Sequence, residues 1–496
     1  MVNKFSKRGF IAGLLSTVAV GSDAGVVERS VRPRLRPTAV PEQAANNLAA
    51  IVDAGNVSGE FGCVVADANS GELLEAHYAD TALPPASVAK VVTAIYAISQ
   101  LGAAFRFSTR VLASGPIQNG VLNGDLILVG NGDPVLDTDH LAGLVSELKK
   151  TGLLSIKGRF IVDATALPVT PEIDPKQPAH VAYNPGISGL NLNHNRVYFG
   201  WAKTARGYRI DLEARAIRYR PEIQMVRMQI KDRKSPVYTY RDGGIWDEWT
   251  VARSALSREG ARWLPVRKPH RYVGEVFQTL ASIEGLDLPD AEFIVKVPSG
   301  IVLVAHESPP LVDILQRMLK YSTNLTAEVV GMTATRVRLG KPVSLGASAA
   351  HMSRWATEHY GVRRFKLVDH SGLSARSRIS AGAMGTILVK ASGEKLLPRI
   401  LKEIKMRKSN NNLAAQAPTE LKAKTGTLNF VSGLAGYVRS AGDRSLAFAI
   451  FAADTDRRKK IPQHDRERPK GAMQWNRRAK ILQYKLVNRW SQHFRS

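Results

Sequence analysis

Three short stretches of the chain carry residue types that together could do acyl-transfer chemistry: Ser87-Val88-Ala89-Lys90, Ser322-Thr323-Asn324 and Lys424-Thr425-Gly426. A serine hydroxyl is a poor nucleophile until a neighbouring base takes its proton. Residues three apart on a helix share a face, so a Lys90 amine can reach a Ser87 hydroxyl at the start of a helix. Lys90 can be that base only when neutral, which requires desolvation and nearby positive charge. An apolar helix, its N-terminal dipole and the second cation, Lys424, would each depress its pKa. Opening a helix also leaves the Ser87 backbone N–H free to help bind an oxyanion. Each stretch alone is weak: Ser322 and Asn324 by themselves read better as a turn or helix cap, and residues 424–426 as an ordinary strand end. Their order and the elements they sit on join them.

Those elements follow from the apolar pattern. After Ser87, Val91, Val92, Ala94, Ile95, Ala97 and Ile98 make the stretch from Val88 to about Ser99 apolar on nearly every side, the mark of a helix at a domain centre. Helical periodicity at Pro310–Lys320 and Thr326–Leu339 puts Ser322 and Asn324 in an inter-helix loop. Leu421–Lys424 leads into strands Gly433–Arg439 and Ser445–Ala453, joined by a turn at Ala441-Gly442-Asp443. A helix over Gln43–Ala54 precedes a hairpin of Gly62–Ala68 and Glu72–His77, with a turn at Asn69-Ser70-Gly71. Between about 106 and 300 the texture changes to short β-like runs (Leu126–Val129, Arg159–Asp163, Ile210–Ala214, Glu222–Lys231) with Gly, Asn and Pro turns. This predicts a β-rich insertion of one or two subdomains. Residues 457–470 read as a basic linker. A closing helix places Trp475, Ala479, Leu482, Leu486 and Trp490 on one face, to pack on the sheet. Its other faces carry Arg477, Arg478, Lys480, Lys485 and Arg489, so contact with a membrane surface is the competing reading. Trp246, Trp249 and Trp263 could stack on sugars, although core packing is the commoner use of such residues.

A chain of 496 residues favours two or three domains, and its 44% apolar and 23% charged content is that of a globular protein. The lone cysteine, Cys63, excludes an intramolecular disulfide framework, and its apolar surroundings predict an inert, packed thiol. Lys4, Lys7 and Arg8 precede a short apolar stretch, Phe10 to Val20, too short to cross a bilayer core of about 30 Å. Residues 1–24 therefore read as a cleavable export signal, by the general route in preference to a twin-arginine one, and 25–42 as a disordered basic segment. No later run of about 18 apolar residues follows, so a soluble protein of the periplasm is expected. The net charge of +26 points to anionic membrane or acidic murein, or simply to solvated basic faces. No nucleic-acid reader motif is present. No His-Glu-x-x-His pair suggests zinc, and no metal or organic cofactor is expected. Asp369-His370-Ser371 spells triad residues in a row, which cannot present triad geometry and reads as a structural turn.

The three motifs resemble those of low-molecular-mass class C penicillin-binding proteins, the S13 D-alanyl-D-alanine carboxypeptidase/endopeptidases. Gly124-Asp125-Leu126, Gly132-Asp133-Pro134, Tyr183-Asn184-Pro185-Gly186-Ile187-Ser188, His306-Glu307-Ser308-Pro309-Pro310-Leu311 and Asp369-His370-Ser371-Gly372-Leu373-Ser374 are similar to signatures of the same family. So is the 235-residue gap from Ser87 to Ser322. The resemblance implies an α/β fold of the serine β-lactamase/DD-peptidase kind, an antiparallel sheet flanked by helices, formed by 43–105 and 301–496 and interrupted by the insertion. It implies that Ser87 is acylated with Lys90 as base, that Ser322 relays protons, that Asn324 holds the acyl-chain amide and that Lys424 sets the electrostatics at Ser322. Thr425 would contact the terminal carboxylate, with Gly426 beside it. The N–H groups of Ser87 and Thr427 would form the oxyanion hole. Tyr183 and Asn429 would line the subsite for the far end of the stem peptide. Two positions depart from the family pattern there: Ala375 stands in an arginine slot, with Arg376 next, and Pro178 in an acidic slot, with Asp174 the nearest acid. The implied partners are peptidoglycan stem peptides and β-lactams, with homo-oligomerisation left open. A serine β-lactamase and a non-catalytic murein-binding or penicillin-sensing protein are the alternatives.

Overall fold

In strand Ser445–Ala453, Leu446, Phe448 and Ile450 point to one side and Ala447, Ala449, Phe451 and Ala453 to the other, and every one is buried. A strand apolar on both faces must sit inside a sandwich of layers. The computed structural model, which describes residues 47–294, 298–405 and 420–494, shows that sandwich. The expected signal (1–24), the basic segment (25–42) and the start of the first helix lie outside these residues; the helix is seen from Leu48 to Ala54.

A hairpin of β1 (Glu60–Asp67) and β2 (Leu73–His77) is joined by β3 (Glu420–Leu428), β4 (Val431–Arg439) and β5 (Ser445–Ala453) in one sheet of order β2-β1-β5-β4-β3. All its pairings are antiparallel. An early strand, β1, is therefore paired with a late one, β5, and β3, which carries Lys424, is an edge. One face is covered by α1 (Ala89–Leu101), α2 (Leu311–Tyr321), α3 (Asn324–Leu339), α4 (Leu345–Tyr360) and α5 (Ala381–Ser392), which share a single apolar cluster with Val431, Ala435, Ala447, Ala449 and Phe451. Helix α1 is buried at every position from Ala89 to Ala97, as its all-round apolar sequence requires.

The opposite face holds α6 (Ala472–His493), with Leu482, Leu486 and Trp490 against Cys63, Val65, Leu434, Phe448 and Ile450. The indole N–H groups of Trp475 and Trp490 donate to the Ser58 carbonyl (3.0 Å) and to Glu75 (2.7 Å). The closing helix is thus packed on the sheet, the first of its two sequence readings. Cys63 is fully buried, and burial, with Glu75 nearby, pushes its thiol up to about 12.

The region between α1 and α2 has its own core. A five-stranded sheet of Ser108–Ala113, Leu126–Gly130, Phe160–Asp163, Ala291–Glu292 and Ile301–Glu307 is joined by two three-stranded sheets and a small third one. Two helices, Thr138–Lys150 and Pro269–Ile283, are additions to the strand-rich reading of the sequence. Their signals were local: Asp137 caps the first by accepting from the His140 N–H, and a proline opens the second. Trp249 is core, Trp246 lies under the Arg227 guanidinium (3.4 Å), and Trp263 is half-buried. Residues 455–470 are no free linker. Glu467 pairs with His180 (2.8 Å) and Arg262 (2.9 Å), strapping this segment to the insertion.

Candidate active site

Ser87 sits in a turn of 3-10 helix, Ala86–Val88, that runs straight into α1. Two glycines allow this turn to be where it is. A Cβ on Gly426 of β3 would lie 2.6 Å from the Pro85 carbonyl oxygen, and one on Gly372, whose φ is +75°, would lie 1.9 Å from that of Ala86. Only residues without a side chain let these two backbones press against the Ser87 turn.

The i, i+3 spacing delivers the expected contact: Lys90 Nζ lies 3.0 Å from Ser87 Oγ. The same amine donates to Asn324 Oδ1 (2.8 Å) and to the Ser371 carbonyl (2.8 Å). Lys90 is wholly buried, and desolvation holds its pKa below the ordinary value. The buried carboxylates of Glu328 and Asp369 oppose the shift. Glu328 projects from α3 and accepts from the backbone N–H groups of His370 and Ser371 (2.8 Å each). Lys424 is held well below its usual value by burial and then by Lys90 and Lys402, and the repulsion between Lys90 and Lys424 disfavours the charge on both.

Ser322 caps the C-terminus of α2 in a left-handed conformation (φ 61°), its N–H donating to the Met318 carbonyl. That turn brings its Oγ within 3.0 Å of Lys424 Nζ, which also donates to the Thr425 carbonyl (2.7 Å). Asn324 opens α3, and its Nδ2 donates to the Tyr183 carbonyl (2.9 Å), tying the insertion to the site. Asp369-His370-Ser371 is indeed a structural turn. Asp369 accepts from the N–H groups of Gly372 (2.8 Å) and Ser374 (2.6 Å), while His370 is buried against Ser348 and Met352, its basicity removed by burial. The turn gives the site the Ser371 carbonyl beneath Lys90 and the Asp369 carboxylate that opposes the Lys90 shift.

A cavity of about 260 Å³ opens over this group, lined by Ser87, Ser322, Asn324, Thr427, Asn429 and Tyr183 among others. Lys90 and Lys424 lie beneath it, Thr425 is exposed on β3, and Gly426 backs the turn. Sequence reasoning missed the wall formed by the 455–470 strap. Arg458, Arg466 and Glu467 line the cavity, Arg458 donating to the Asn429 carbonyl (2.8 Å) and Asn429 to that of Arg466 (2.5 Å). The basic composition that suggested a linker hid this role. A second cavity of about 250 Å³ shares Gln177, Asn429, Arg458 and Arg466 with the first, and both Asp174 and Arg376 line it. The one-residue displacement of the arginine and the shifted acid therefore still bring an acid and an arginine to one pocket.

A lysine amine of lowered pKa touching a serine hydroxyl, with a second hydroxyl touching a second depressed amine across the cavity, can in its neutral form accept and return protons during acyl transfer. Among the described residues no group of three or more His, Cys, Asp or Glu could hold a metal ion, and no helix is long and apolar enough to cross a membrane.

The sequence model of the D-Ala-D-Ala carboxypeptidase 3 (S13) family matches residues 44–468. The chain is 24% identical over 416 residues to the D-alanyl-D-alanine carboxypeptidase DacB of Haemophilus influenzae, covering 79% of this chain and 84% of that one. It is 26% identical over 426 residues to a D-alanyl-D-alanine carboxypeptidase of Actinomadura sp. strain R39, covering 78% and 77%. The fold is similar to that of penicillin binding protein 4 (dacB) from H. influenzae, with a TM-score of 0.72 at 22% identity over 89% of this chain and 99% of that one.

Proposed function

This chain belongs to the D-Ala-D-Ala carboxypeptidase 3 (S13) family, and from that premise we propose how its own residues perform serine-type D-alanyl-D-alanine carboxypeptidase chemistry on murein stem peptides. Ser87 Oγ adds to the carbonyl of the penultimate D-alanine while neutral Lys90 takes its proton. The C–N bond breaks, and the leaving amine takes a proton through Ser322, whose hydroxyl lies on Lys424. Water then cleaves the Ser87 ester by the reverse path and restores both groups. Asn324 holds Lys90 in line and faces the acyl chain, Thr425 takes the leaving carboxylate, and the N–H groups of Ser87 and Thr427 bind the oxyanion. Tyr183, Asn429 and the Asp174/Arg376 pocket take the far end of the stem.

The observation that carries this reading is the 3.0 Å contact between Ser87 Oγ and a fully buried Lys90 amine. The solved H. influenzae fold relative has been seen complexed with a β-lactam, and a β-lactam mimics D-Ala-D-Ala and acylates the same hydroxyl. A labelled penicillin should add one drug mass to the intact protein, and Ser87→Ala should abolish the addition. Labelling that persists in Ser87→Ala overturns the assignment. Export to the periplasm through residues 1–24 fits this substrate and is part of the proposal. Fractionation of cells expressing the full chain, with or without those residues, tests it.

A further inference from the structure

Residues 171–184 of the insertion form a loop that reaches the reaction centre, and one buried side chain anchors it. Arg267 lies between strand Glu259–Pro265 and helix Pro269–Ile283 of the insertion, and only 3% of it is exposed. A guanidinium taken out of water is costly unless its N–H groups find acceptors. Here the acceptors are backbone carbonyls of the loop. Nη1 donates to Asn184 (2.7 Å) and Pro171 (3.1 Å), and Nη2 donates to Ala179 (2.5 Å). The ion-pair partner, Glu172, lies 3.3 Å from Nη1 on the same loop. A planar fork can serve three carbonyls at fixed angles, which a lysine ammonium on its flexible stem cannot.

The loop is also closed on itself and pressed onto the backbone that carries Arg267. Asn184 Oδ1 accepts from the N–H groups of Ile173 (3.0 Å) and Asp174 (2.9 Å), and its Nδ2 donates to the Asp174 carbonyl (3.0 Å). The Gly186 N–H donates to the Val266 carbonyl (2.8 Å), and a Cβ on Gly186 would lie 2.9 Å from the Arg267 carbonyl oxygen. One peptide before the Asn184 carbonyl held by Arg267 is the Tyr183 carbonyl, which faces Asn324. A carbonyl can only accept and an ammonium can only donate. The Tyr183 carbonyl therefore takes the nitrogen end of the Asn324 amide (2.9 Å) and leaves its oxygen end to Lys90 (2.8 Å). Reversed, the amide would set donor against donor and acceptor against acceptor.

We propose that Arg267 is a positioning residue for the acylation step: by fixing the Tyr183 carbonyl it fixes the Asn324 amide, and so aims Lys90 at Ser87. The insertion is then part of the machinery that activates the serine. This rests on the assignment of Lys90 as the base for Ser87. The consequence has a sign. Asn324 Oδ1 accepts a hydrogen bond from the ammonium form of Lys90, so a loosened amide disfavours that form and lowers the pH at which Lys90 becomes neutral. The charged groups that face Lys90 are Glu328 on α3, Asp369 in the turn beneath it and Lys424 on β3. None of them touches Arg267 or the 171–184 loop through a hydrogen bond given above, so each stays in place when Arg267 is changed.

The test is a double-mutant cycle on the full chain: wild type, Arg267→Lys, Asn324→Ala and the double variant, each shown folded by circular dichroism. The readout is the rate of acylation by a labelled penicillin as a function of pH. Arg267→Lys keeps the charge and loses the fork. It should lower the plateau rate about tenfold, the scale of a sub-ångström misplacement of a catalytic group. Its acid limb should move to lower pH by about 0.5 unit. In the Asn324→Ala background the same substitution should cost less than about twofold, because the side chain through which it acts is gone. Glu172→Ala loosens the same anchor from a partly exposed position, should lower the plateau about threefold with the same limb shift, and decides the case if Arg267→Lys does not fold. A wild-type plateau and an unmoved limb in these variants overturn the inference. So does a loss of rate that is equal with and without Asn324, since a merely structural role would act in both backgrounds. A wild type that takes up no penicillin overturns the assignment of Ser87 and Lys90 instead.

Discussion

Lys90 is held between opposing influences: burial strips its ammonium of water and drives the pKa down, Glu328 and Asp369 pull it part of the way back, and the balance lies at about 8. The sequence made the first half legible through the apolar run around Lys90. The second half was not legible, because Glu328 reaches the site from α3 through the backbone N–H groups of two consecutive residues, His370 and Ser371, on another loop. The pH dependence follows with its sign. The amine must be neutral to accept the Ser87 proton, so penicillin acylation should rise with pH through an apparent value near 8 and level off below the ordinary lysine value of 10.5. That apparent value belongs to the coupled group of Lys90, Glu328 and Asp369, not to one residue. Glu328→Gln removes a charge that stabilises the ammonium, so its limb should move to lower pH. Stopped-flow acylation from pH 6 to about 10.5 measures both. A limb that stays in place in Glu328→Gln, or a rate still climbing steeply at the top of that range, contradicts this account.

Among the elements, α1, α2, α3, β4, β5 and α6 lie within a few residues of where the apolar periodicity puts them. Each buries a continuous stripe, and a buried stripe leaves its period in the sequence. The strap was illegible for the opposite reason: Arg458, Arg466 and Glu467 are held by individual pairs to the insertion and to Asn429, which leave no period. The Ser87 turn shows what a single element must tolerate. Gly372→Ala would put a methyl on a φ of +75° against the Ala86 carbonyl. The left-handed conformation alone costs about 1–2 kcal/mol. Relieving the clash moves the Ser87 turn, and a shift of about 1 Å can lower reaction rates on the order of 100-fold. A fall in Tm with a larger proportional fall in acylation is the expected pattern; acylation at the wild-type rate would refute the close approach. Glu467→Gln tests the strap more gently. Losing two half-exposed pairs, worth about 0.2–1 kcal/mol each, should raise KM for a stem pentapeptide about two- to fivefold and leave kcat unchanged, measured by D-alanine release.

The whole molecule carries a net charge of +26, and its surface divides that charge between places with different work. Part lines the site: Arg458 is half-buried beside the cavity over Ser87, so residues 457–460 cannot be neutralised without touching the site. Part is solvated. On α6, Trp475, Leu482, Leu486 and Trp490 are buried, while Arg477, Arg478, Lys480 and Lys485 are exposed, with Met473 and Ile481 exposed on the same helix. If that outer face holds the enzyme on acidic murein or anionic lipid, binding must weaken as salt rises, because the Debye length falls from about 10 Å at 0.1 M to about 3 Å at 1 M. Chemistry at Ser87 acts over bonded distances beneath a partly desolvated cavity, so turnover of a small D-Ala-D-Ala peptide should change far less over that range. A variant with Arg477, Arg478, Lys480 and Lys485 changed to Gln keeps the packed face of α6 and changes none of the residues lining the cavity. It should sediment less with murein sacculi or anionic vesicles at low salt, while D-alanine release from the small peptide stays at the wild-type level. The loss should shrink as salt rises and the wild type itself lets go. Sedimentation indifferent to both salt and substitution would mean that the outer face of α6 is solvated surface.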